Sequence, residues 1–156
     1  VFPLDEGANL VHLVRPPWEE DLEAAQTFYP GTPTVERYRA YKLINFRSFE
    51  VRVALDHRHG HQGILVAHGD QGGGYALYVE AGRLFHVHNG YGTMTEVDCG
   101  PMADGTSEVV LAVEAAGDLV WNTVVRVEGA TVAETPGLAV LMAIVRPPRF
   151  CVVKTS

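Results

Sequence analysis

The chain has 156 residues, of which 47% are hydrophobic and 20% charged, with 12 Lys and Arg against 19 Asp and Glu. That length suits one domain whose core needs no metal or disulfide staples, and that composition excludes a disordered chain. The net charge of −7 disfavours a phosphate backbone as partner, and no apolar run reaches the roughly 20 residues of a membrane-spanning helix.

Residues 1–33 are expected to form an irregular arm. They hold Pro3, Pro16, Pro17, Pro30 and Pro33, and proline removes a backbone donor and fixes φ. Within the arm we expect a short strand over Asn9 to Val14 and one or two helical turns over Glu19 to Gln26, after Pro17. From Thr34 the pattern changes, and residues 34–156 are expected to be one β-sandwich domain. Phe49, Val51, Val53 and Leu55 alternate with Ser48, Glu50, Arg52 and Ala54, a period of two that marks a strand with one buried face. Further strands are expected over Gly63 to His68, Tyr75 to Glu80, Arg83 to His88, Met94 to Asp98, Glu108 to Glu114, Leu119 to Val127, Thr131 to Ala133, Leu138 to Val145 and Phe150 to Lys154. Ala81-Gly82 links two of them by the shortest kind of hairpin, and Ala116-Gly117 and Gly129-Ala130 do similar work. Short strands at this spacing read as an all-β, antiparallel sandwich or barrel. Gly72-Gly73-Gly74 precedes a strand rather than a helix, so it reads as a wide turn and not as a phosphate cradle.

The residues that could carry chemistry are scattered. His57, His59 and His61 alternate in a loop beside Asp56. Alternate side chains on an extended chain point the same way, so these are the candidate metal ligands, set against an exposed, unliganded loop. His86 and His88 share one strand face and could serve acid–base work with Asp98 or Glu96, although no nucleophile is placed beside them. Tyr75, Tyr78, Phe85, Tyr91 and Trp121 fall on or beside strands. Of these, Tyr75, Tyr91 and Trp121 are the candidate platforms for a sugar ring, set against ordinary core packing. The two cysteines, Cys99 and Cys151, could pair or remain two buried thiols, too few for a disulfide-rich fold.

Several segments resemble the C-terminal region of large bacterial arylsulfatases, especially the actinobacterial type. The core of the likeness is Gly63-Ile64-Leu65-Val66-Ala67-His68-Gly69, then Gly73-Gly74-Tyr75-Ala76-Leu77-Tyr78-Val79, then Gly82-Arg83-Leu84 and Asn89. Upstream, Pro3-Leu4-Asp5, Phe28-Tyr29-Pro30-Gly31 and Asn45-Phe46-Arg47-Ser48-Phe49 are similar to segments that follow the catalytic region of those enzymes. The likeness covers residues 1 to about 97 and weakens beyond. His88 stands where those enzymes carry tyrosine, and the apolar run Leu138 to Val145 replaces an acidic, glycine-rich tail.

The resemblance implies a concanavalin-like jelly roll appended to a sulfatase. The parent enzymes use formylglycine and a divalent cation, usually calcium, in a separate α/β catalytic domain. The stretch Cys99-Gly100-Pro101-Met102-Ala103 approaches the Cys-x-Pro-x-Arg signature of formylglycine formation. Ala103 replaces its arginine, so we read it as a strand end and a Gly-Pro turn. The expectation is a non-catalytic accessory domain with no cofactor of its own. Its expected partners are the catalytic domain of the same polypeptide, a second copy of the chain, or a glycan held by a lectin-like module. Neither a starting methionine nor a signal peptide is present in the sequence, from which we expect a processed or excised piece. With the resemblance, this favours a cytoplasmic location.

Overall fold

The structure is a computed structural model and describes residues 25–31, 43–44, 47–70, 72–141 and 151–152. The strands are β1 (Phe49–Ala54), β2 (Gly63–Asp70), β3 (Gly73–Glu80), β4 (Arg83–Gly90), β5 (Thr93–Pro101), β6 (Glu108–Ala115), β7 (Val120–Val127), β8 (Ala130–Ala139) and β9 (Cys151–Val152). They form two sheets, ordered β1-β6-β7-β8 and β5-β4-β3-β2-β9. Every pairing is antiparallel, so the all-β, sandwich-like expectation holds.

The alternation decides which side chains go inside. On β3, Tyr75, Leu77 and Val79 are buried while their neighbours are half-buried or exposed. On β4 the buried row is Leu84, His86, His88 and Gly90. The other sheet contributes Val53, Val109, Leu111, Val113, Trp121 and Val125 to the same cluster. The two sheets meet through rings: Phe49 of β1 lies 6.2 Å from Tyr75 of β3, and His88 of β4 lies 6.2 Å from Trp121 of β7. On the central strand β6, Val109, Val110 and Leu111 are all buried, as a strand with neighbours on both sides allows.

Three hairpins are closed by two residues that both take positive φ: Ala81 (48°) with Gly82 (72°), Tyr91 (54°) with Gly92 (97°), and Glu128 (49°) with Gly129 (79°). This is the type I′ geometry whose twist matches that of the flanking strands. The third turn therefore sits one residue earlier than Gly129-Ala130, and Ala130 opens β8. Between β6 and β7 the connection is longer than Ala116-Gly117 alone. Asp118 and Leu119 also take positive φ, so Leu119 belongs to the turn and β7 starts at Val120.

Two expected strands, Thr131 to Ala133 and Leu138 to Val145, are joined in one β8 that ends at Ala139, and residues 142–145 of the second lie outside the described ones. Pro136 and Gly137 lie inside it. An outermost strand tolerates a missing N–H and a left-handed glycine, here at φ 77°. Of the expected last strand Phe150 to Lys154, Cys151–Val152 form β9 beside β2, and its other residues lie outside the described ones. Gly73 and Gly74 belong to β3 itself rather than to a wide turn. The expected strand at Asn9 to Val14 lies outside the described residues, as does nearly all of Glu19 to Gln26. So does most of the arm, although Phe28 within it is buried. Among the described residues, no helix is long and apolar enough to cross a membrane.

Candidate functional site

The most chemically loaded place in the molecule is the interior between the sheets. Alternation on β4 turns Phe85, Val87 and Asn89 outward and Leu84, His86 and His88 inward. His86 and His88 are only 2% and 3% exposed. Antiparallel register puts Leu77 of β3 and Val97 of β5 beside His86, and Tyr75 and Thr95 beside His88. From the opposite sheet the Trp121 ring meets His88 edge-on at 71°, while Phe49 touches Trp121 at 5.5 Å. His68 of β2 stacks on Tyr75 at 5.3 Å. Nε2 of His86, Nε2 of His88 and Nε1 of Trp121 are buried without a hydrogen-bond partner. Each such atom costs about 1–3 kcal/mol relative to a satisfied one.

This environment sets the protonation states. Burial pushes His86 down to about 4, with the neighbouring His88 adding to the effect. Burial also lowers His88, partly offset by a hydrogen bond to the backbone of Ala139. Burial raises the phenol of Tyr75 well above its ordinary value. It raises the Cys99 thiol to about 11 against a backbone hydrogen bond from His86. At neutral pH the interior therefore holds neutral imidazoles, a phenol and a thiol. No thiolate nucleophile is available there.

The acid–base pairing of His86 or His88 with Asp98 or Glu96 is not assembled. Asp98 and Glu96 point to the outer side of the same sheet. There Arg83 Nε donates to Asp98 Oδ2 at 2.8 Å and the Tyr78 hydroxyl donates to Glu96 Oε2 at 2.9 Å. The three sugar-platform candidates are likewise not brought together. Tyr75 and Trp121 are core residues, 5% and 1% exposed, and offer no ring face to solvent. Tyr91 is half-exposed at the β4–β5 hairpin tip, where its hydroxyl donates to the Val140 carbonyl at 3.3 Å.

In the histidine loop, His57 is buried, and its backbone is tied to Thr106 and Gly105 at 3.1 and 2.8 Å. His59 and His61 are exposed. The His57 and His61 rings lie 6.2 Å apart. Arg58 takes both carboxylate oxygens of Asp56 at 2.8 and 2.9 Å, which occupies the carboxylate that a cation would need. Among the described residues, no three His, Cys, Asp or Glu groups converge as a metal site. Cys99 is a free, buried thiol near the end of β5, and Gly100 beside it takes φ 100°.

Two outer surfaces were not singled out from the sequence. On the four-stranded sheet, Ser48, Glu50, Ala112, Glu114, Val124 and Arg126 line a shallow groove of about 450 Å³. Its charges are laddered: Glu50 accepts from Arg52 at 2.6 Å and from Arg126 at 3.3 Å, and Asn122 reaches Glu114 at 3.5 Å. On the five-stranded sheet, Ile64, Tyr78 and Phe85 sit side by side in register. The Tyr78 and Phe85 rings stack at 5.2 Å, and Ile64 and Met94 are 68% and 64% exposed. The outward half of each strand's alternation carried the signal for both surfaces. Neither a protein-family model nor a curated protein matches the chain.

Proposed function

We propose that this chain is a non-catalytic C-terminal accessory domain of an arylsulfatase-like sulfate ester hydrolase, packing on the catalytic domain of the same polypeptide or on a second copy of itself. The observation that carries this reading is where the family-like residues fall. Gly69, Gly73 and Gly74 lie close together in the sequence and Asn89 lies well beyond them, yet all four meet at one spot across β2, β3 and β4. A Cβ on Gly73 would stand 2.1 Å from the Asn89 carbonyl oxygen, and one on Gly69 or Gly74 would stand 2.8 Å from the other's Cα. The motif thus has a packing reason of its own and needs no catalytic one.

The finer jelly-roll reading is supported by two long returns in the strand order. β1 lies beside β6 and β9 beside β2, so each run of hairpin-linked strands, β6 to β8 and β2 to β5, is flanked by a strand distant in sequence. The outward apolar row of exposed Ile64 and half-buried Tyr78 and Phe85 suits an accessory domain that covers a partner surface. Formylglycine does not fit the described residues. Cys99 is buried with its thiol protonated, and Ala103 stands where the signature needs arginine. Calcium finds no converging carboxylates among the described residues. Both belong to the parent's catalytic domain in this reading.

The test has two arms. The reading frame upstream of Val1 is expected to encode Cys-x-Pro-x-Arg several hundred residues earlier, and a complete gene without it overturns the parentage. The chain alone, supplied with calcium, is expected to release no sulfate from p-nitrophenyl sulfate. Turnover that disappears in Cys99→Ala would overturn the non-catalytic assignment.

A second reading, a carbohydrate-binding module, is favoured by the groove over Ala112 and Val124. It combines an apolar floor with carboxylate, amide and guanidinium walls, a mix that suits a polyhydroxylated ligand. Titration against a glycan panel separates the readings. Binding lost in Arg126→Ala supports the module at this groove, and binding lost in Tyr91→Ala supports it at the hairpin tip. Silence across the panel counts against it.

A further inference from the structure

We infer that the sandwich is an acid-opened device: protonation of the buried pair His86 and His88 drives its two sheets apart in one cooperative event. The geometry is the basis. Both imidazoles are almost fully enclosed, lie two residues apart on one strand, and present an Nε2 that touches no acceptor. An imidazolium formed there would have two donors and no anion to meet.

The groups that face the pair offer no anion. From β3 come Tyr75, which stays protonated, and Leu77. From β5 come Thr95, Val97 and the thiol of Cys99, while Glu96 and Asp98 are turned away and engaged with Tyr78 and Arg83. From β2, His68 lies behind Tyr75. From the facing sheet come Trp121 against His88 and the apolar row of β1 and β6, Val53, Val109, Leu111 and Val113. The end of β8 contributes buried Leu138 and the backbone of Ala139, which hydrogen-bonds His88 and is uncharged. Two charges formed side by side would also repel each other.

The direction in pH follows. Both rings are lowered in the folded state, His86 to about 4, against roughly 6.5 when exposed. The folded form keeps its full stability above the exposed value. Below it the opened form binds protons that the folded form refuses, and stability falls until the depressed values are reached. Asp56, Asp98 and Glu128 are held below the ordinary carboxylate range, and their losses begin only as pH falls to that ordinary range, about 4. Between about pH 6 and 4.5 the pair therefore loses stability ahead of these three carboxylates.

The experiment is urea unfolding of the full chain at steps from pH 7.5 to 4.5, followed by fluorescence and far-ultraviolet circular dichroism. The double variant His86→Leu/His88→Leu, which keeps the other histidines, is run in parallel. Two buried imidazoles steepen the rise of the unfolding constant by up to about 100-fold per pH unit near pH 5 relative to the variant. A difference of tenfold per unit or more supports the device, and a smaller one overturns it. Should the variant fail to fold, imidazole resonances of the wild type decide. Both rings silent down to pH 5.5 in the folded protein support it. Either ring titrating above pH 5.5 overturns it.

Discussion

Gly73 shows how much one missing side chain can do. Its φ of 151° and the Asn89 carbonyl oxygen, 2.1 Å from where a Cβ would stand, leave no room for any other residue. Gly73→Ala is expected to cost about 3 kcal/mol or more, measured as a fall in the urea midpoint at constant slope. Cys99 makes a second point at this scale. Burial raises its thiol to about 11, so in a Cys151→Ser background labelling by iodoacetamide is expected to be at least roughly 100-fold slower in the folded protein than in urea. Equal rates would show the thiol to be exposed. The histidines mark where residue-level reading stopped. That His86 and His88 share a face was legible from their spacing. Which face was not, because the rival row of Phe85 and Val87 is just as apolar, so alternation alone cannot orient the strand. The same ambiguity hid Tyr75 and Trp121 in the core, where an exposed platform was one of the readings.

At the level of strands and turns, periodicity was a good guide wherever one face was clearly polar. The alternation of Glu50 and Arg52 with Val51 and Val53 fixed β1, and Ala81-Gly82 fixed the β3–β4 hairpin. It failed at β8, where Pro136 and Gly137 read as a break. The strand's outermost place in its sheet, which makes them harmless, is a tertiary fact. It also gave no hint that Glu128 acts as a latch. From the tip of the β7–β8 hairpin, its carboxylate accepts from the Ser107 backbone N–H, from the Ser107 hydroxyl at 3.0 Å and from the Glu108 N–H at 3.0 Å. These bonds, led by that of Ser107, hold the carboxyl below its ordinary value. Their stabilisation is full above the ordinary carboxylate value and is lost as pH falls through the depressed one. Glu128→Gln is therefore expected to lower the thermal midpoint at pH 7, with the gap to wild type closing in acid. A gap independent of pH would remove the charge from the explanation.

For the molecule as a whole, both sheets share one interior, so they should melt together. Leu111 is fully enclosed on central strand β6. Leu111→Ala is expected to cost about 2–5 kcal/mol while keeping a single transition by fluorescence and circular dichroism. Two separated transitions would mean that the sheets are independent units. The two-layer class was readable from short alternating strands and glycine turns. The pairing of β1 with β6 was not, because it joins segments with four strands between them. Surfaces were the least readable level, since a groove or an apolar row exists only once neighbouring strands are in register.

That distant pairing has a consequence for a chain made from its N-terminus. Among the described strands β1 emerges first, yet its partner is sixth in line, whereas β2 to β5 can zip up hairpin by hairpin as they leave the ribosome. The opening strand, with Phe49, Val51 and Val53 uncovered, must wait through the synthesis of a whole sheet. It is the stretch of the nascent polypeptide on which a chaperone would have most reason to sit.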